Sequence, residues 1–382
     1  MNMIRTFHSV GQGAFYTERF YIGAREINIV YDCGTTTKDK GKIIEREISN
    51  AFKKNDEIHA LFISHLDADH INGIEYLAKY CNVKKIFFPI ISSENRILLK
   101  LMLEISGADE EESKFVREVL DNTVNVLRRL VDSPIGGKSG EVKLIGVKEG
   151  GQREADSSGE YYQLDVEILE SGKDVSKKID SDLTAFWQYI PYNFRQNERI
   201  TILKNKMKEE GVSLNDLEKW DGDIIDKMKE MYQKLEGKLN SNSMTLYSGP
   251  INQLIPYPRI PSKNFGGFRL GYRYSCKQVC RRWGCLYTGD YNANSQSNFI
   301  QLKEEYKEHW NNIGCIQIPH HGSAYNYNSG LIRPMRICIV SAGERNSYGH
   351  PHSEVLKDIC LKRGNPYWVT ENGKTRQIFW LH

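Results

Sequence analysis

The chain reads as a large α/β unit, on three observations. Apolar runs of strand length alternate with stretches of helical period, and several of those runs end abruptly in histidine or aspartate. With 382 residues, 40% of them hydrophobic, there is enough material for a large core, either one α/β unit with insertions or two domains.

One stretch anchors that reading. Ala60 to Ile63 is an apolar run too short for a helix, and it delivers His65, Asp67, Asp69 and His70 within six positions. Asn72-Gly73 follows, and Ile74 to Ala78 resumes with helical spacing. Strand, ligand-rich loop and helix together place a site at the carboxyl end of a sheet. Two imidazoles and two carboxylates buried on one short turn would leave uncompensated charge unless a cation joined them.

The remaining elements follow in order. Residues 1 to 34 read as strands, with Val10-Gly11-Gln12-Gly13 a tight turn suited to positive φ and Asp32-Cys33-Gly34 closing a strand. Asp32 is placed to anchor the ligand loop from behind. A helix is expected near Ile43 to Lys53, a strand at Lys84 to Pro89 and an amphipathic helix over Glu110 to Val131. Val142 to Val147 and Tyr161 to Leu169 suit strands. From about 172 to 239 lysine and glutamate dominate, and helical patterns at 199–209, 213–220 and 224–239 suggest a helical insertion that covers or extends a site.

Strand patterns then resume at 243–247 and 268–274. Three later apolar runs finish in ligand-type residues: 284–288 in Gly289-Asp290, 313–318 in Pro319-His320-His321, and 337–341 ahead of His350-Pro351-His352. Successive strand ends delivering such side chains is how α/β layers build a site. Asn242 and Ser243 lie at a strand start, as substrate-oxygen contacts or as strand caps.

Composition narrows the function. No apolar run reaches bilayer-spanning length, the mean hydropathy is −0.54, and the amino terminus lacks the apolar core of a signal peptide. A cytoplasmic protein without a membrane partner is expected. Eight cysteines are scattered, and the cluster of Cys276, Cys280 and Cys285 fits no common zinc spacing, so a reduced hairpin is expected there. The net charge of +3 names no partner, but its distribution is uneven. From Gly237 to Gly289 there is no acidic residue, while Arg269, Arg273, Lys277, Arg281 and Arg282 alternate with aromatic rings. Such an interval suits a phosphate-bearing, single-stranded polymer, and equally an ordinary hairpin with solvated basic edges.

The set His-x-Asp-x-Asp-His (65–70), Thr-Gly-Asp (288–290), Pro-His-His-Gly-Ser (319–323) and Tyr-Gly-His-Pro-His (348–352) resembles the metallo-β-lactamase superfamily. Val10-Gly11-Gln12-Gly13, Asp32-Cys33-Gly34 and Asn242-Ser243 extend the resemblance, in order, to the hydrolase domain of ComEC-type competence proteins. Two positions depart from that branch: Ser9 and Ala14 stand where acidic residues flank its turn, with His8 adjacent. The branch also carries membrane helices and this sequence has none, so a freestanding soluble hydrolase rather than a transport channel is expected.

The resemblance implies a four-layer αββα sandwich over residues 1–382, interrupted by the insertion, with two divalent ions, Zn²⁺ or Mn²⁺, between its sheets. His65 and Asp67 would hold one ion, Asp69 and His70 the other, Asp290 would bridge, and one of His320 and His321 would complete a shell. Asp69 would orient or deprotonate the attacking water, whose pKa a metal lowers from about 15.7 toward about 7. His350 or His352 would bind a phosphoryl oxygen or protonate the leaving group. The expected activity is a metal-dependent phosphodiesterase acting on DNA or RNA. A small-molecule metallohydrolase and a binding protein that has lost activity are the alternatives.

Overall fold

The computed structural model describes every residue except 1, 93–94, 101–109, 132–141, 152–160, 162–163, 195–204, 214–225, 229, 231–242, 252–281 and 382. Two sheets face each other with helices on both outer sides. The first sheet contains β1 (Asn2–Phe7), β2 (Gly13–Ile22), β3 (Arg25–Thr35), β5 (Ala60–Phe62), β7 (Lys85–Pro89), β8 (Lys143–Val147) and β9 (Glu167–Leu169), with β16 (Gln377–Leu381) returning beside β1. The second runs in the order β10 (Trp187–Asn193), β11 (Met244–Pro250), β12 (Gly284–Tyr287), β13 (Ile313–Gln317), β14 (Ile337–Ser341) and β15 (Asn365–Val369). A minor pair, β4 (Glu57–Ile58) with β6 (Asn82–Val83), lies outside both.

Strand side chains alternate between layers, so a strand buried on both faces feeds two cores. Leu61, Ile86 and Leu144 point to an outer core shared with the helices α1 (Lys40–Ala51), α3 (Ile74–Tyr80), α4 (Glu110–Asp121) and α5 (Thr123–Val131). Their neighbours Phe62, Phe87 and Ile145 point inward, where they meet Tyr189, Leu246, Tyr287 and Ile339 of the facing sheet. Leu286, Ile316 and Val340 face the other way, against α7 (Gln296–Glu305) and α8 (Ser353–Leu361). Two further short helices, α2 (Ala68–Ile71) and α6 (Ser176–Ile179), complete the set named here. The result is the expected αββα sandwich.

Strand direction positions the site. β3, β5, β7 and β8 are mutually parallel, as are β12, β13, β14 and β15. The segments that follow β5, β12, β13 and β14 meet at one end of the sandwich, where Asp32 of β3 also lies.

Two expectations need correction. The 172–239 region is not uniformly helical: Trp187–Asn193 is a strand of the second sheet. Trp187 and Tyr189 fill the inter-sheet core while Ile190 and Tyr192 fill the outer one, a period of two that the surrounding lysines and glutamates obscured. Pro191, which has no N–H, is tolerated because β10 lies at the sheet edge. Residues 205–209 are helical as expected, and much of the remaining insertion lies outside the described residues. The 110–131 helix is likewise two helices, broken at Asn122. The strand expected at 268–274 lies outside the described residues.

Candidate metal centre

The site begins with a defect in a strand. Tyr16 pairs with Tyr31 and Phe15 with Cys33, leaving Asp32 as the extra residue of a β-bulge at φ 54°. The bulge turns the Asp32 carboxylate toward the end of β5. There Oδ1 accepts the Ser64 N–H at 2.7 Å, and Oδ2 accepts the Ser64 hydroxyl at 2.7 Å and His70 Nδ1–H at 2.8 Å.

Ser64 has one hydroxyl proton and gives it to Asp32, so His65 Nδ1 donates to Ser64 Oγ at 2.9 Å. His321 Nδ1 donates to the Ser341 carbonyl at 2.7 Å. In all three rings the outward nitrogen is committed, and Nε2 faces the interior of the site. Outer partners that fix the tautomer in this way are typical of imidazoles that ligate metals.

The inward atoms converge. His70 Nε2 lies 3.3 Å from Asp290 Oδ1 and 3.8 Å from Asp69 Oδ2, and His65 Nε2 lies 3.8 Å from Asp290 Oδ2. His321 Nε2 lies 2.9 Å from Asp69 Oδ2, and His320 Nε2 lies 3.6 Å from Asp290 Oδ2. Two donor triangles result, His65–His70–Asp290 and Asp69–His70–His321, each with its atoms within 4.8 Å of one another. His70 belongs to both. Asp67 stands at the rim, with about half its side chain exposed and 3.5 Å from His65 Nε2.

These residues fit a divalent cation. His65 Nε2, His70 Nε2 and Asp290 Oδ1 are buried and make no hydrogen bond among the described residues. Orphaned buried polar atoms are costly, and three that point at one another are most simply satisfied by an ion between them. Protonation tells the same story. Burial disfavours charge on His70, yet Asp69, Asp32 and Asp290 outweigh it and raise its pKa well above the ordinary value. Burial likewise opposes charge on Asp69 and Asp290. Even so, the surrounding imidazoles hold Asp69 down at about 2 and Asp290 well below the carboxylate range. The carboxylates thus draw positive charge onto the Nε2 positions.

The supporting loops are tightly tied. Ser243 Oγ accepts the Asp290 N–H at 2.7 Å and lies 3.2 Å from His65 Nδ1. Gly289 sits at φ +53°, and a β-carbon there would come within 2.8 Å of Ser243 and Ser64, so only glycine permits this approach. His320 and His321 both adopt the left-handed region, at φ 47° and 55°, backbone strain of the kind that collects at functional sites. Asn326 Nδ2 holds the Asp290 carbonyl at 3.1 Å.

His350 and His352 form the outer wall, their rings 5.1 Å apart. His352 Nδ1 accepts the Ala324 N–H at 2.9 Å, which leaves Nε2 to carry the ring proton. Burial, reinforced by His320, His321 and His352, lowers His350 to about 3, so it is neutral at ordinary pH.

Both His320 and His321 therefore enter the cluster, at opposite carboxylates. Of the basic residues expected at the substrate, Arg269, Arg273, Lys277 and Arg281 lie outside the described residues, as does Asn242. Arg282 is described, and it precedes β12 whereas Asp290 follows it, so the two stand at opposite ends of that strand. The Arg282 carbonyl packs against Gly314 at the start of β13.

Two contributors went unforeseen. Ser64 links Asp32 to His65. Gln317 accepts the N–H groups of Thr288 and Gly289 at 2.9 and 2.8 Å and so shapes the turn before Asp290. The signal for Gln317 was an amide at the end of an otherwise apolar strand.

The metallo-beta-lactamase superfamily model matches residues 20–96, the span from β2 through β7 that holds Asp32 and the 65–70 loop. The fold is the metallo-β-lactamase sandwich. No curated protein matches the chain. The superfamily is largely hydrolytic and typically binds divalent metals, so its match suggests a metal-dependent hydrolase. Among the described residues no helix is long and apolar enough to cross a membrane.

Proposed function

We propose that this protein is a metal-dependent phosphodiesterase that cleaves nucleic acid. The observation that carries the reading is the meeting of Asp69, Asp290 and the rim carboxylate of Asp67 with four imidazoles, three of them with Nδ1 committed to an outer partner. Three carboxylates offset much of the charge on two divalent ions and favour harder ions than an all-histidine site would, which suits Mn²⁺ as well as Zn²⁺. The ions would be held among His65, His70 and Asp290 on one side and Asp69 and His321 on the other, the single inward lone pair of His70 serving one ion only, with Asp67 and His320 alongside. When bound, they supply Lewis-acid polarisation of a phosphoryl oxygen and a lowered pKa for water.

The protein's own groups do the rest. Asp69 orients the attacking water by accepting its hydrogen bond. Neutral His350 and the Nε2–H of His352 donate hydrogen bonds to phosphoryl oxygens on the open side. Asp32, through Ser64 and His70, holds the imidazoles in their ligating tautomers. The order of motifs shared with ComEC-type hydrolase domains supports a nucleic-acid substrate.

The test is incubation of purified protein with labelled single- and double-stranded nucleic acid, with Zn²⁺ or Mn²⁺ or with EDTA, beside Asp69→Ala. Metal-dependent cleavage that disappears in the variant is expected. Hydrolysis of bis-p-nitrophenyl phosphate alone would redirect the reading to small molecules. Stoichiometric metal binding without turnover of any substrate would end it.

A further inference from the structure

We infer that Tyr325 and Tyr348 are base-stacking platforms on either side of the reaction centre, and that they direct the enzyme to single-stranded nucleic acid; this deepens the phosphodiesterase reading and rests on it. Among the described residues these are the most exposed aromatic rings, Tyr325 at 67% and Tyr348 at 55%. Both lie on loops that build the site. Tyr325 follows the His320–His321 turn after β13, and Tyr348 precedes His350 after β14.

Their placement is ordered. The Tyr348 ring lies at 5.7 Å and 24° on His350, His350 meets His352 at 5.1 Å, and His352 meets Tyr325 edge-on at 5.8 Å. Four rings thus line the open side of the site, with the outer two presented to solvent. The backbone beneath them is fixed. Asn326, next to Tyr325, is buried and bonded to the Asp290 carbonyl, while Asn346 Oδ1 accepts the N–H groups of Tyr348 and His350. Apolar rings displayed on hydrogen-bonded loops lose little further freedom when a ligand stacks on them.

The chemistry selects the ligand. A nucleobase offers a π-face whatever its sequence, and stacking on an aromatic side chain is sequence-tolerant. In a duplex the bases are already stacked on one another, so their faces are withheld. An unpaired strand can lay the bases flanking one phosphodiester on these two rings while the phosphate reaches His350 and His352.

The experiment compares a single-stranded oligonucleotide with one lacking the bases on both sides of the cleaved linkage, its backbone charge intact. For the wild type, kcat/KM is expected to fall about tenfold or more without those bases. The double variant Tyr325→Ala/Tyr348→Ala is expected to show that fall already on the intact strand, with no further loss on the abasic one. Tyr325→Phe/Tyr348→Phe retains the wild-type preference. Equal cleavage of both strands by the wild type, or an undiminished base preference in the alanine variant, overturns the inference and leaves the phosphodiesterase reading standing. Absence of any nucleic-acid cleavage by the metal-loaded wild type overturns both.

Discussion

Two clusters of buried charge lie within this sandwich, one deep between the sheets and one at its end, and they are completed in opposite ways. Between the sheets, Glu18 of β2 accepts from Arg5 Nε at 2.7 Å, Tyr287 at 2.8 Å, Ser248 at 2.6 Å and Tyr189 at 2.5 Å. Arg5 also donates to the Trp283 carbonyl at 3.0 Å and lies 5.9 Å from the Trp187 ring, and among the described residues only its Nη2 has no partner. Both carboxylate oxygens are satisfied by protein, and the network ties β1 and β2 to β10, β11 and β12. At the sandwich end, by contrast, the Nδ1 atoms of His65 and His70 are satisfied, while their Nε2 atoms and Asp290 Oδ1 have no hydrogen-bond partner among the described residues. Polar groups that complete one another hold sheets together; polar groups left incomplete in a common direction await something else.

The sharpest way to break this contrast is to exchange the two behaviours by mutation. Asp290→Ala removes an oxygen, Oδ1, that has no hydrogen-bond partner among the described residues. Hydrolysis is expected to fall by about three orders of magnitude, the scale on which electrostatic stabilisers fail. Metal content, read by atomic spectroscopy, should drop with it, while the metal-free protein melts within about 1 kcal/mol of wild type. Glu18→Ala should do the reverse. It strands a buried Arg5 and is expected to cost about 3–5 kcal/mol in urea unfolding, with metal stoichiometry of the folded fraction unchanged. A Glu18→Ala protein of normal stability would show that the inter-sheet network is ornamental.

The two clusters also differ in how far they could be read from the chain. The site was legible because its candidate ligands are neighbours in sequence and stand where apolar strands stop: His65 to His70, Asp290, and His320 with His321 each announce themselves. The Glu18 network was not, because the partners of Glu18 are scattered over four other strands. Each taken alone is an ordinary polar or aromatic strand residue, and Glu18 itself reads as a solvent-facing position. The strand at Trp187–Asn193 was hidden for a related reason, its period of two being submerged in a lysine- and glutamate-rich surround. Arg282 shows the limit of composition: it says which charges are abundant but not to which end of a strand each is carried.

A third buried carboxylate extends the comparison to pH. Glu47 accepts from Arg46 at 2.9 Å, from Arg376 at 2.8 and 3.1 Å and from the Ser9 N–H at 3.3 Å, with His8 Nδ1 at 3.6 Å. Burial would raise its pKa, but His8, Arg376 and Arg46 overcome that and bring it from 4.5 down to about 2. Because the folded value lies below the unfolded one, the stabilisation is complete above pH 4.5 and disappears as pH falls toward 2. It amounts to about 3 kcal/mol at most, at 1.36 kcal/mol per unit. Unfolding free energies from urea titrations between pH 6 and pH 2 should fall more steeply, by about that amount, for wild type than for Glu47→Gln. Parallel curves would remove Glu47 from the satisfied class.

The smallest expected effect falls where the two classes touch. Asp32 is fully satisfied, like Glu18, yet what it satisfies are Ser64 and His70, the supports of the unsatisfied atoms. Replacing it with asparagine keeps the shape and an oxygen for the Ser64 N–H. It substitutes an NH₂ for the oxygen that receives both the Ser64 hydroxyl and His70 Nδ1–H. Two donors then face a donor, and the His70 ring is relieved by moving its proton to Nε2, the wrong nitrogen for a ligand. Metal affinity is expected to fall about 10- to 100-fold, the range for outer partners of ligating histidines. Saturating metal should recover most of the activity, because the donor atoms themselves remain. Asp290→Ala, which removes a donor, should not be rescued in that way, so a metal titration of the two variants side by side separates a residue that holds the ion from one that holds the holder. If Asp32→Asn binds metal as tightly as wild type, the Nδ1 contacts do not set the tautomers, and the inward aim of His65 and His70 must come from packing alone.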